Sequence, residues 1–330
     1  MIRGARAFWV VAPGQGELRP EPLPEPGPGE LLVRTLYSGV SRGTESLVFR
    51  GEVPPSEWSA MRAPFQEGRF PGPVKYGYQS VGRVEGEGEG GDGGLLGREV
   101  FCLFPHQTRF VVPWEAVVPL PTGLPAPRAV LAANMETAVN AHWDASPRTG
   151  DRVIVIGAGV VGLLIAWLTA RIPGVELTLV DVNPERVRVA AALDLPFATT
   201  LPDEDGADLV IHASGNPAGL EGAMELLGPE GTLVEVSWFG DRPVPLPLGG
   251  AFHSRRLTLR SSQVGRLPPE RAPRWTHRRR MELALDLLRD PVLDHLVTSE
   301  SSFDELPSVM AELADSPGGT LCHRIRYSTT

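Results

Sequence analysis

Residues 151–162 read Asp151-Arg152-Val153-Ile154-Val155-Ile156-Gly157-Ala158-Gly159-Val160-Val161-Gly162, and a helix-forming stretch, Leu163-Leu164-Ile165-Ala166-Trp167-Leu168-Thr169-Ala170, follows. Gly-x-Gly-x-x-Gly alone says little; set between a strand and a helix, it specifies a dinucleotide loop. The reasons are mechanical. Gly157 permits the tight turn, Gly159 lets the backbone approach a pyrophosphate, and Gly162 lets the helix pack close on the strand. Val160 and Val161 open the helix whose N-terminus receives the phosphates. A second strand, 176–182, carries Asp181 nineteen residues after Gly162. An acid there accepts from both hydroxyls of the adenosine ribose and repels a 2′-phosphate, so NAD(H) is expected over NADP(H). Asn183-Pro184-Glu185 reads as the cap and first turn of a helix that carries Arg186 and Arg188 away from that ribose.

Val153 to Ala170 is an uncharged run of eighteen residues, long enough to raise the question of a membrane span. The β-branched start and the three glycines answer it: this is a buried parallel strand turning into a buried helix. Outward from it the pattern repeats, with a helix at 184–193, a strand at 208–213, a helix at 217–227, and strands at 231–238 and 256–261. Alternating strands and helices predict a doubly wound parallel sheet with ligands at the carboxyl ends of its strands. Ser214, Gly215 and Asn216, and Ser237 to Gly240, fall at two such ends. Ser214, Gly215 and Ser237 are therefore candidate cofactor contacts, although Asn216-Pro217 is also an ordinary helix start.

The 330 residues suffice for about two domains. A net charge of −9 excludes the basic footprint of a nucleic-acid binder. One segment, 255–280, runs against that balance, with nine Arg and one acid. Two distant cysteines, Cys102 and Cys322, give neither a disulfide framework nor a Cys-only metal site, and suit a reducing cytoplasm. Of the 31 basic residues only Lys75 is a lysine.

Before about residue 125 the chain reads as short alternating strands, 31–37, 80–85, 99–103 and 109–112, separated by Pro/Gly loops, with the glycine-rich 85–94 as a solvated turn. After residue 266, two helices (278–289 and 304–314) and a strand (321–327) return to this first domain. The expected organisation is a β-rich domain of 1–125 and 266–330 around a dinucleotide domain of 126–265.

This layout resembles the medium-chain dehydrogenase/reductase superfamily of zinc alcohol and polyol dehydrogenases, with an N-terminal chaperonin-10-like catalytic domain. Ser38-Gly39-Val40-Ser41-Arg42-Gly43-Thr44-Glu45 is similar to its Cys-Gly-Ile-Cys-Gly-Thr-Asp, and Lys75-Tyr76-Gly77-Tyr78-Gln79-Ser80-Val81-Gly82 to its Gly-His-Glu-x-x-Gly. The variants, with Cys102-Leu103-Phe104-Pro105-His106-Gln107, resemble the bacteriochlorophyllide-a 3-hydroxyethyl dehydrogenase group and its relatives, which implies oxidation of a secondary alcohol with NAD. Where the superfamily holds zinc, this chain has Ser41, Tyr78 and Gln79. The third ligand would fall at 134–136, where Glu136 alone cannot hold the ion. No catalytic metal is expected, because hydroxyl, phenol and amide are poor zinc ligands beside thiolate, imidazole and carboxylate.

Without a Lewis acid, the proton of the reacting alcohol needs another carrier. Lys75 and Tyr78 are the candidates, with Ser41 or Thr44 as relay. The alternative places Lys75 in an ion pair with a surface acid and Tyr78 in ordinary packing. His106 is a further acid/base candidate, or a core histidine. Arg256, Thr258 and Arg260 share a strand face that could meet a substrate anion or a second subunit; the resemblance implies a homodimer paired at the sheet edge. The expected function is NAD(H)-dependent interconversion of a small secondary alcohol and its ketone, with no membrane or nucleic-acid partner. A zinc-free enone or quinone reductase and a non-catalytic nucleotide-binding protein are the alternatives.

Overall fold

The strand Arg152–Ile156 is buried from Val153 onward and pairs in parallel on both sides, Val153 lying opposite Leu177 and Leu209. Such two-sided burial is what an unbroken β-branched run requires. The computed structural model describes residues 4–90, 94–315 and 318–328. The parallel sheet runs in the order Phe197–Ala198, Glu176–Val180, Arg152–Ile156, Ala207–His212, Leu227–Glu235, Thr258–Ser261. The chain thus winds outward in both directions from its first strand, the arrangement that opens a ligand crevice at the carboxyl ends.

The helix Val160–Thr169 is buried on nearly every side, from Gly162 through Trp167 and at Thr169. That explains its uncharged sequence without a bilayer. Among the described residues no helix is long and apolar enough to cross a membrane. Two boundaries differ from expectation in ways that matter. The fifth strand is Leu227–Glu235, which frees Ser237 and Trp238 as loop. The sixth begins at Thr258, and Arg256 sits before it at φ 54° and pairs with Glu230, off the face it was expected to share.

The chain forms two compact units, Met1–Ala133 with Met281–Thr330, and Asn134–Arg280. The first holds a seven-stranded sheet in which Cys322–Arg326 pairs antiparallel with Glu30–Val40, so the C-terminal tail joins the N-terminal sheet. Alternation along Glu30–Val40 buries Leu31 and Val33 against Val84, Val100 and Phe110. Each such side chain contributes roughly 1.5–3 kcal/mol by leaving water. The loop expected at 85–94 begins later, because Ser80–Glu87 is strand throughout; residues 91–93 lie outside the described residues.

Candidate functional site

In the first unit Ser41 is the N-cap of the helix Arg42–Arg50, and its N–H donates to Glu45 Oε1 one turn on, at 2.7 Å. That brings the motif 38–45 into a tight turn, with the Ser41 and Thr44 hydroxyls near enough to the Tyr78 phenol to favour its ionised form. Burial pushes this phenol up to about 12; the negative charge of Glu45 adds to the rise, and the two hydroxyls oppose it. Beneath them Glu45 and His106 are 4% and 1% exposed. His106 Nε2 meets Glu45 Oε2 at 2.8 Å, its Nδ1 meets Ser38 Oγ at 2.7 Å, and Ser38 Oγ meets the Tyr327 hydroxyl at 2.9 Å. One direction satisfies every atom. Tyr327 donates to Ser38, Ser38 to Nδ1, and Nε2–H to the carboxylate, which can only accept. Gly77, at φ 131°, holds Tyr78 over this chain: a Cβ there would lie 3.0 Å from His106 Cδ2.

Of the four predicted catalytic residues, Ser41 and Tyr78 come together. His106, buried, engages both ring nitrogens with Ser38 and Glu45, which is the core-histidine side of the two readings that its sequence left open. Lys75 stands elsewhere. It is 1% exposed, pairs with Glu67 and, at 3.6 Å, with Glu21, and donates to Gln107 Oε1 at 2.8 Å. An ammonium group with its donors so engaged is a structural cation tying its strand to two others, and the alternative reading of Lys75 is the one the geometry supports.

The zinc positions of related enzymes present Ser41, Tyr78 and Gln79 here. Gln79 is fully buried and its amide meets no hydrogen-bond partner among the described residues. Glu136 is bound by Arg280 at 3.1 Å. Burial holds the Cys322 thiol up to about 12 and pushes Cys102 higher still, so neither is a thiolate. Among the described residues no three His, Cys, Asp or Glu are grouped to hold a metal. This donor set does not fit zinc. Four of the arginines of the basic segment 255–280 are engaged within the chain. Arg255 pairs with Asp205, Arg271 and Arg279 lie over Trp143 and Trp275, and Arg280 is buried on Glu136.

In the second unit the glycine loop fits a dinucleotide. Gly157 lies at φ 108°, where a Cβ would meet Ser214 N at 2.7 Å, and a Cβ on Gly162 would overlap the Gly157 carbonyl. At Gly159 a Cβ would meet open space, and no side chain caps the helix Val160–Thr169. The N-terminus at Val160 and Val161 therefore offers bare N–H groups to an anion. Asp181 accepts from Ala158 N at 2.7 Å and Asn183 N at 2.8 Å, which fixes its carboxylate against the loop. Arg188 is exposed, as the helix reading required, but Arg186 is not carried away: it is buried, with Asp181 among its charged neighbours.

Ser214, Gly215 and Ser237 are joined through two residues that the sequence reading did not single out. His212 ends the strand Ala207–His212 and Glu235 ends its neighbour, in register. His212 Nδ1 meets Glu235 Oε2 and its Nε2 meets Ser214 Oγ, both at 2.6 Å. Glu235 Oε1 accepts from Ser237 N at 2.6 Å, and Ser237 Oγ from Gly215 N at 2.9 Å. Ionisable residues ending otherwise apolar strands, Leu209-Val210-Ile211-His212 and Leu233-Val234-Glu235, were the available signal.

One unit thus has a doubly wound sheet with the loop and acid of a dinucleotide-binding fold, and the other carries a buried cluster of hydroxyl, imidazole and carboxylate groups. No protein-family profile matches the chain. It is 28% identical over 250 residues to the 2-desacetyl-2-hydroxyethyl bacteriochlorophyllide A dehydrogenase of Cereibacter sphaeroides, covering 70% of this chain and 72% of that protein. It is 23% identical over 219 residues to an uncharacterised zinc-type alcohol dehydrogenase-like protein of Haemophilus influenzae, covering 62% of this chain and only 60% of that protein's length. An Escherichia coli alcohol dehydrogenase solved with NADH has the same fold, with TM-score 0.79, 16% identity and coverage of 98% and 99%. So has a Sinorhizobium meliloti zinc-binding dehydrogenase solved with NADP, with TM-score 0.79, 18% identity and the same coverage. The chain is similar in sequence to these two dehydrogenase-type proteins and shares its fold with the two solved dehydrogenases.

Proposed function

We propose that the protein interconverts a small secondary alcohol and its ketone by hydride transfer with NAD(H), without catalytic zinc. The observation that carries this reading is the Tyr78 phenol, grouped with the Ser41 and Thr44 hydroxyls at the turn that the family resemblance assigns to the metal of zinc relatives. NAD(H), when bound, supplies or accepts the hydride. The glycine loop and the uncapped helix receive its pyrophosphate, and Asp181 its adenosine ribose.

The proton falls to Tyr78. A phenol pushed up to about 12 keeps its proton at neutral pH. It can therefore donate to a carbonyl oxygen as negative charge develops there, the task a Lewis acid performs in zinc enzymes. Ser41 and Thr44 hold the phenol and can pass a proton on. The same property makes Tyr78 a reluctant base, so reduction of the ketone is the easier direction near neutrality.

Initial rates with NADH and NADPH over a series of ketones, alongside elemental analysis of the purified protein, test the reading. Tyr78→Phe should lower kcat about a hundredfold or more with NADH binding retained. Turnover that survives this change, or stoichiometric zinc whose removal abolishes activity, overturns it. We further propose a cytoplasmic homodimer. Both cysteines are unpaired; the last strand of the parallel sheet, Thr258–Ser261, is an edge with Leu259 exposed, and such an edge is commonly covered by its symmetry mate. Sedimentation of the wild type and of Leu259→Glu tests the dimer: a wild-type monomer rules it out.

A further inference from the structure

Glu235 is the one carboxylate to which both loops at the carboxyl ends of the fourth and fifth parallel strands are tied. Through Oε2 it holds His212, which holds Ser214; through Oε1 it holds the Ser237 N–H, and Ser237 Oγ in turn accepts from Gly215 N. The ring closes back on itself, since Ser214 and Gly215 are adjacent. His212 is wholly buried and Glu235 nearly so, with 14% of its side chain exposed, and the Phe239 ring lies parallel to the imidazole at 6.2 Å. Ser214, in contrast, is exposed, and its backbone N lies against Gly157 of the phosphate loop.

The ring also fixes which way each hydroxyl faces. A carboxylate only accepts, so His212 Nδ1 carries the hydrogen toward Glu235; with a single ring hydrogen, the arrangement this proposal takes, Nε2 accepts from Ser214. Ser214 Oγ further accepts from Asn216 N at 3.2 Å. Its hydrogen is thereby committed, and what it offers outward is a lone pair. Ser237 is the reverse: its oxygen accepts from Gly215, and its own hydrogen is the part left to give.

We propose that Glu235 and His212 are positioning residues for the nicotinamide half of the cofactor, setting the spacing of the two loops and presenting Ser214 as acceptor and Ser237 as donor. This rests on the NAD(H) reading above. The chemistry matches that half of the molecule, which offers ribose hydroxyls to an acceptor and an amide carbonyl to a donor. A carboxylate-to-amide change at 235 tests the polarity directly. In Glu235→Gln the side-chain amide donates to Nδ1, the imidazole hydrogen moves to Nε2, and Ser214 is turned from acceptor to donor with no loss of volume.

The experiment is a calorimetric titration of the full-length protein with NADH and, separately, with ADP, which lacks the nicotinamide half. Glu235→Gln should weaken NADH by about tenfold or more and leave ADP within about twofold. Ser214→Ala should cost less than Glu235→Gln and, combined with it, should remove most of the added penalty, because the misdirected hydroxyl is gone. Unchanged NADH affinity in Glu235→Gln overturns the proposal, and so does equal weakening of NADH and ADP, which marks general damage. Strictly additive substitutions also overturn it. Failure of the wild type to bind NADH would instead sink the proposed function, and it is visible before any variant is made.

Discussion

Glu45 is a carboxylate withdrawn from water near the proton donor of the proposed reaction, and its partner is the His106 Nε2–H instead of an arginine. Removing that donor leaves the buried carboxylate short of a hydrogen bond, at a cost of about 1–3 kcal/mol. That penalty makes His106→Ala a poor probe of mechanism. Glu45→Gln is better, since a neutral amide keeps the shape and removes the charge. The Tyr78 phenol owes its rise first to burial and next to Glu45. The variant should therefore bring it down from about 12 part of the way to 10, the remainder being held by burial. Reduction needs the protonated phenol, so its rate falls as pH rises through the Tyr78 ionisation. In Glu45→Gln that alkaline fall should begin at lower pH, in kcat more than in KM for NADH. An unmoved limb would show that Glu45 does not act on Tyr78.

At the scale of the element, the turn Tyr76-Gly77-Tyr78 carries the donor, and its backbone tolerates little else. Gly77→Ala adds a Cβ at φ 131° and 3.0 Å from the His106 ring, a strain of about 1–3 kcal/mol. It should lower kcat about tenfold or more while ADP binding, which needs only the glycine loop, stays unchanged; a kinetically silent substitution would mean that the turn does not set Tyr78. The division between what the sequence discloses and what it hides follows the range of the interactions. The loop 157–162, its flanking strand and helix, and Asp181 are local, and each constrains its neighbours within some thirty residues, so pattern alone places them. The cluster below Tyr78 is not local. His106 reaches Glu45 across 61 positions, and Ser38 reaches Tyr327 across 289. No periodicity records such pairings. Lys75 shows the opposite hazard: its rarity suggested chemistry, but Glu21, 54 residues away, and the exposed Glu67 hold it in a structural role.

At the scale of the whole molecule, buried phenols in the first unit and a buried histidine in the second act on stability at opposite ends of the pH scale. Tyr76, Tyr78 and Tyr327 belong to the first unit, and burial raises all three phenols above 10. A phenol raised in the folded state contributes stability that is complete below pH 10, the unfolded value, and is lost as pH climbs toward the folded one. For Tyr78 a rise of about two units corresponds to at most roughly 3 kcal/mol. His142 lies in the second unit, and burial, with help from Arg271, lowers it to about 4. Here the neutral form is the buried one, so its contribution is complete above 6.5 and is lost as pH falls toward 4. Burial raises the Cys102 and Cys322 thiols from 9 as well and lowers His323 of the first unit from 6.5, so denaturant midpoints should be flat between about 6.5 and 9 and fall on both sides, with His142 and His323 both feeding the acid limb and the thiols and phenols the alkaline one. A ligand that binds only the folded second unit stabilises it by RT ln(1 + [L]/Kd). NAD+ added near pH 5 should accordingly restore the acid limb, and His142→Gln should make it shallower, while Tyr78→Phe does the same to the alkaline limb and leaves the acid limb alone. The measurement is intrinsic fluorescence against urea across the pH range. If His142→Gln moves the alkaline limb as much as the acid one, or Tyr78→Phe the acid limb as much as the alkaline one, these two groups do not act as assigned.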